Sequence, residues 1–165
     1  MKTLHEFLSQ MTRPVDAPDD LSFRLAGETD CRPVQAACYP EKSILRFRSH
    51  FDHLLDWQAN GRCAWLIGAD KTNQIVASGQ LILYPHGAEL ANLSVIPDRQ
   101  NEGIGAALVE VLTAVARHLD LPGLEIGVAV SNGRALALYQ RLGFREDRRL
   151  QLPNAEPAVI LYKKL

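Results

Sequence analysis

The chain has 165 residues, with 18 Lys and Arg against 19 Asp and Glu, a formal net charge of −1, 47% hydrophobic and 22% charged residues. This is the size and mix of one soluble globular domain, burying about 70% of the surface its unfolded chain would expose. Near-zero net charge excludes a broad basic footprint for nucleic acid, so any bound anion must be held locally. Cys31, Cys38 and Cys63 are odd in number and lack CxxC spacing. They imply neither a disulfide framework nor a zinc knuckle, and buried reduced thiols fit a cytoplasmic setting. No stretch approaches the roughly 20 apolar residues of a membrane span. His5 and Glu6 stand where a signal peptide needs an apolar centre.

Leu4, Phe7, Leu8 and Met11 follow helical spacing, so residues 1–20 read as an N-terminal extension carrying a short amphipathic helix. That helix can dock on the domain or on a second subunit, which makes a homodimer one expectation. A short strand follows at 21–25, and Thr29 and Asp30 offer caps for a helix running to about Tyr39. A second helix is predicted from Ser43 to Trp57, ending near Gly61. The period then changes to that of strands at 63–69 and 74–84, with a hairpin turn at 70–73, and again at 89–96, closed by Pro97.

The clearest signal is Ile104, Ala107, Leu108, Val111, Leu112, Val115, Ala116 and Leu119, whose intervals alternate between 3 and 1. They predict a helix of about four turns with one face on a sheet. A buried strand at 124–130 comes next, then a helix capped by Asn132 and stopped by Gly143, then strands at 144–150 and 158–163. The expected class is α/β (α+β): a single, mostly antiparallel mixed sheet of about six to seven strands flanked by helices, with residues 1–165 as one domain.

The segment RQNEGIGAAL, from Arg99 to Leu108, joins a strand to the long helix through Gly103 and Gly105. Glycines permit close backbone approach, and the first N–H groups of a helix lack internal partners, so such a turn suits a phosphate or pyrophosphate. A dinucleotide GxGxxG would need a small residue at Leu108, and a GxxxxGK[ST] loop has no counterpart. His50, His53, Asp52 and Asp56 share helical spacing without forming HExxH, so no metal site is expected.

At this point the sequence resembles the GNAT superfamily of acyl-CoA-dependent N-acetyltransferases. The [Q/R]xxGx[G/A] signature is met by Gln100, Gly103 and Gly105, and NGRALALYQRLGF resembles the family's NxxAxxLYxxxGF block at Asn132, Ala135, Leu138, Tyr139, Gly143 and Phe144. Two motifs in order, over about 88–147, are far more specific than either alone.

The resemblance implies that acetyl-CoA is the co-substrate. Its pyrophosphate would rest on backbone N–H groups of Gln100, Asn101, Glu102, Gly103, Ile104 and Gly105. The strands at 89–96 and 124–130 would splay apart, and the pantetheine arm would lie between them, bonding main chain near Leu93 and Val95. Gly127 suits that approach, though a simple bulge is an equal reading. Asn132 is first an N-cap and additionally a pantetheine contact.

An amine attacks only when unprotonated, and a lysine-like ammonium has a pKa of about 10.4, so a base is required. Glu89, where some family members carry their catalytic glutamate, is the candidate, acting directly or through water; a solvated strand-end carboxylate is the other reading. Asn92 and Ser94, on the opposite strand parity, would orient that water. Tyr139, at the position where the family often places its general acid, is the candidate donor to the leaving thiolate; a core aromatic is the alternative. An N–H near residues 93–95 would serve the oxyanion. Arg134, Arg141 and Arg145 compete for the 3′-phosphate. The expected function is direct transfer of acetyl to a primary amine of a small molecule, peptide or protein in a ternary complex, with neither nucleic acid nor membrane as partner. A non-catalytic acyl-CoA sensor is the alternative.

Overall fold

The computed structural model describes residues 4–14, 16–151, 153 and 155–165. The expected helix at the N-terminus is α1, Leu4–Gln10, residues 1–3 lying outside the described set. It is followed by β1 (Ser22–Leu25), a 3-10 turn (Glu28–Asp30), α2 (Cys31–Cys38), α3 (Ile44–Ala59), β2 (Cys63–Ala69), β3 (Ile75–Tyr84) and β4 (Gly87–Val95). After a 3-10 turn at Pro97–Arg99 come α4 (Ile104–His118), β5 (Gly123–Ala129), α5 (Gly133–Arg141), β6 (Arg145–Leu150) and β7 (Ala158–Lys164).

The seven strands form one sheet in the order β1-β2-β3-β4-β5-β7-β6. Every neighbouring pair is antiparallel except β4 and β5, which run parallel. A parallel pair needs a crossover, and α4 supplies it. The apolar stripe read from the sequence, with Ile104, Ala107, Leu108, Val111, Leu112, Val115 and Ala116 all buried, packs on Leu66, Leu81, Leu90 and Leu124. On the opposite face α2 and α3 enclose Phe47, Phe51, Leu54, Trp65 and Ile67. Cover on both faces explains why all seven residues of β2 are buried, whereas the edge strand β6 is exposed throughout. Its run of charged residues, Arg145 to Arg149, suits an edge that must not recruit another strand. Cys31, Cys38 and Cys63 are free and buried.

Local signals explain most boundaries. Ser43 Oγ accepts from the Arg46 N–H and Asn132 Oδ1 from the Ala135 N–H, as N-caps should. Asp70 Oδ1 gathers the N–H groups of Thr72 and Gln74, closing the β2–β3 turn. Asp30 departs from expectation: it precedes α2 but makes no side-chain cap bond. Its carboxylate turns back to accept from Arg24 Nη1 and Nη2 at 2.6 and 2.7 Å and from the Gly27 N–H at 2.8 Å.

Burial pushes the Asp30 carboxyl up, but the Arg24 hydrogen bonds, the Gly27 N–H and the Arg24 charge together hold it below the usual range. A carboxyl depressed in the folded state adds stability above its unfolded pKa of about 3.9 and loses it as pH falls. Asp30→Asn is expected to cost about 2 kcal/mol at pH 7, moderated by the partial exposure of Arg24, and much less near pH 3; urea unfolding at both values checks this.

Candidate active site

The β4–β5 pair is joined at one rung, Glu89 against Glu125. Beyond it the strands diverge, as the expected splay requires, so the β5-facing edge of β4 has no ladder partner in β5 from residue 90 onward. The resulting wedge is a cavity of about 380 Å³ lined by residues 89–93 of β4, residues 126–129 of β5, and Asn132, Ala135 and Tyr139. Leu93, Asn132, Ala135 and Tyr139 also line an adjoining cavity of about 680 Å³, which extends past Val95 and Gln100 to Gly103, Gly105 and the α5 side chains Arg134 and Arg141. The two spaces form one cleft from the mouth of α4 to the middle of the sheet.

At the α4 end, Gly103 has φ 83 and Asn101 φ 68, so the turn curls through left-handed backbone at both positions. No backbone hydrogen bond is made by the amides of residues 101–106 among the described residues. They are a nest of free donors at the positive end of a 15-residue helix. The side chain of Ile104 is buried in the core under α4. Glu102 is ion-paired to Arg99, whose guanidinium also grips Asp20 at 3.1 and 3.2 Å, so its carboxylate is held against Arg99. Gln100 Nε2 donates to the Val95 carbonyl and Gln100 Oε1 accepts from Arg134. Of the three arginines considered, Arg134 and Arg141 line the cleft, whereas Arg145 is on β6 opposite Tyr162.

Glu89 and Tyr139, distant in sequence, line the same wedge. Glu89 Oε2 accepts from the Tyr84 hydroxyl at 3.2 Å. Tyr139 is 8% exposed and stands edge-on to Phe144, ring centroids 6.0 Å apart. Its hydroxyl has no hydrogen-bond partner among the described residues, and no fully buried polar side-chain atom there lacks one. The hydroxyl must therefore be the part of the side chain that reaches the cleft. Burial raises this phenol above the ordinary value of 10.0, so it is protonated at neutral pH.

Two expectations require correction. Between Ser78 and Gln80 the β3–β4 register shifts: Ser78 faces Ser94 and Gln80 faces Ala91, so Asn92 and Leu93 together oppose Gly79. This is a β-bulge, with Asn92 at φ 51. It resets the alternation, placing Ser94 on the face of Ala91 and Glu89 and not on the opposite one. Ser94 Oγ gives its one donor to the Cys38 carbonyl, and Asn92 Nδ2 gives one of its two to Gln80, so Ser94 has no hydrogen left to orient a water. Gly127, by contrast, sits in an unbroken β5–β7 register, which removes the bulge reading for that residue. Sequence reasoning passed over Tyr84, Gln80 and Tyr39 at this site; none belongs to a motif, and long-range pairing alone brings them here.

With this geometry in view, comparisons with known proteins decide the family. The model of the Acetyltransferase (GNAT) family matches residues 29–144. The chain belongs to this family. Among curated proteins it is 42% identical over 79 residues to the ribosomal protein bS18 alanine N-acetyltransferase of Escherichia coli strain K12, covering 45% of this chain and 53% of that protein. The chain thus spans about half the length of the curated relatives it matches. Among solved structures, the Escherichia coli ribosomal-protein-S18-alanine N-acetyltransferase superposes with TM-score 0.70 at 24% identity, over 87% of this chain and 93% of that one. Spermidine N-acetyltransferase from Vibrio cholerae, solved with CoA and spermine, does so with TM-score 0.70 at 20% identity, over 89% and 96%. These two show a shared GNAT fold. Among the described residues no three His, Cys, Asp or Glu side chains gather as a metal site, and no helix is long and apolar enough to cross a membrane.

Proposed function

We propose that this GNAT domain is an N-acetyltransferase that moves acetyl from acetyl-CoA directly to a primary amine in a ternary complex. The observation that carries this reading is the single-rung opening between β4 and β5, with a carboxylate and an unpartnered, protonated phenol lining the same wedge.

The residues present fit acetyl-CoA. Free amides at residues 101–106 suit its pyrophosphate, and Arg134 and Arg141 supply cations at the wall where a phosphorylated nucleotide would leave the cleft. The unpaired edge of β4 beside Leu93 and Val95 suits a chain carrying amides, with Gln100 releasing the Val95 carbonyl as it enters. Asn132 keeps its capping bond while lining both parts of the cleft.

When bound, acetyl-CoA supplies an activated thioester whose carbonyl carbon forms a C–N bond with the amine as the C–S bond breaks. Glu89, steadied by Tyr84, takes the proton released from the amine, directly or through one water. Tyr139 gives its proton to the departing sulfur and recovers one from solvent. A main-chain N–H near residues 93–95, on the edge of β4 that β5 leaves unpaired, would hold the charge developing on the carbonyl oxygen. No nucleophilic serine or cysteine is needed, and the buried Cys38 and Cys63 thiols, pushed up to about 11 and about 12 by burial, are poor nucleophiles. Three reduced thiols fit a cytoplasmic enzyme.

The relatives point to two acceptor chemistries, a protein N-terminal alanine and a polyamine. The test is thiol release from acetyl-CoA against polyamines, amino acids, aminoglycosides and peptides with free N-terminal alanine. Release that depends on one acceptor class supports the reading; CoA binding without release from any of them overturns it in favour of a sensor.

Glu89→Gln tests the base. At low pH free amine is scarcest, so the loss of turnover is expected to be largest there and to narrow as pH approaches the amine pKa. A mutant-to-wild-type rate ratio that stays flat from pH 6 to pH 9 contradicts the assignment.

A further inference from the structure

We infer that Tyr39 is a positioning residue for acyl transfer, its hydroxyl strapping the end of helix α2 to the β4 bulge that borders the cleft. The inference rests on the acetyltransferase reading above.

Tyr39 is the C-cap of α2, 9% exposed, with its ring against Phe47 at 5.4 Å. Its hydroxyl donates to the main-chain carbonyl of Asn92 at 2.7 Å, bridging 53 positions of sequence. Asn92 is the left-handed residue of the bulge, a conformation that persists only when its surroundings hold it. Three further contacts complete the hold. Asn92 Nδ2 donates at 2.8 Å to Gln80 Oε1, a side chain 1% exposed on β3. Ser94 Oγ donates at 3.2 Å to the Cys38 carbonyl, one residue before Tyr39. Gly79 leaves the room that Leu93 fills, since a Cβ there would lie 2.5 Å from Leu93 Cδ2.

The last turn of α2 is thus bonded on both sides of the bulge, at Asn92 and at Ser94. Main chain at Asn92 and Leu93 borders the wedge where the thioester must lie. Tyr39 also opens the segment 39–43 leading to α3, on the face away from the free amides of α4. Burial pushes the Tyr39 phenol up to about 12, so it remains a donor throughout the working pH range.

Tyr39→Phe keeps the ring against Phe47 and removes only the hydroxyl, with its bond to the Asn92 carbonyl and its contact with the buried Ser78 side chain. Two measurements read it: amide hydrogen exchange of the free protein by NMR, and steady-state thiol release. The expected result is exchange at residues 92–94 about five- to tenfold faster than wild type, with the β2 amides unchanged. Turnover falls about tenfold, while KM for acetyl-CoA stays within about twofold and Tm within about 2 °C. Unchanged exchange and turnover in Tyr39→Phe overturn the inference, as does loss of protection spread over the whole sheet with a fall in Tm. If wild type itself releases no thiol from any acceptor, the acetyltransferase reading fails and this inference with it; an active wild type with an indifferent Tyr39→Phe removes only the inference.

Discussion

Gly103→Val should weaken CoA binding at least about 100-fold, equivalent to about 2.7 kcal/mol, while leaving the far-ultraviolet circular dichroism spectrum unchanged. Gly103 sits at φ 83, and a branched side chain in that region is strained whatever space surrounds it. Space is also denied, because a Cβ would stand 2.8 Å from the Asp16 main-chain oxygen. The loop carrying Asp16 cannot easily retreat, being tied to the cradle through Asp20 and Arg99. The turn at residues 101–105 must therefore deform, and its amides lose their common aim. Gly87→Ala, where no atom lies within 4 Å of the added carbon, is the control and should keep the dissociation constant within about twofold of wild type. Calorimetry on both proteins decides the matter; a Gly103→Val affinity within about threefold of wild type shows that the turn does not carry the pyrophosphate.

The second large effect is expected for Tyr139→Phe: turnover at least about tenfold lower with acetyl-CoA affinity nearly intact. The variant keeps the ring, its edge-on packing against Phe144 and its place on α5, and deletes only the hydroxyl that reaches the cleft. Removing a group that acts on the leaving sulfur alone lowers kcat without touching ground-state binding. The pH profile offers an independent check. Burial lifts this phenol above 10.0, so the acid form persists through neutrality and a falling limb from its loss belongs above that pH, not between 7 and 9. Wild-type turnover in the variant would leave Tyr139 as a core aromatic.

Much of this architecture was legible because its signals are local. The stripe from Ile104 to Ala116 forces a helix with one buried face, and the amides that begin such a helix are unpaired wherever it occurs. Asn132 and Gly143 mark the ends of α5 by capping chemistry that depends on a few neighbouring residues. That β4 and β5 are neighbours and open apart followed from the family resemblance and not from strand periodicity, which carries no information about which strands meet; their parallel sense came only with the structure. The place of β7 between β5 and β6 is likewise a long-range pairing.

The bulge was illegible for a sharper reason. Alternation counts every strand residue equally, so one extra residue reverses the assigned face of all that follow, as happened with Ser94. Asn at position 92 tolerates positive φ, yet asparagines are common in strands and turns alike, and nothing nearby singled this one out. The strap from Tyr39 and the Gln80 contact became visible only when α2 was packed on the sheet. Similarly, Arg134, Arg141 and Arg145 are equivalent in sequence, and their separation came from the turn at Gly143, which sends Arg145 onto β6 and away from the cleft.

The most direct test of the account is an amide chemical-shift titration of the isotopically labelled protein with CoA. The expected result is saturable shifts confined to residues 100–106 and to the facing edges of β4 at 90–95 and β5 at 126–129, with α5 responding through Asn132 and Tyr139. An absence of shifts at millimolar CoA, or shifts gathered instead around the shallow hollow beside Arg24, Pro33 and Gln74, would contradict it.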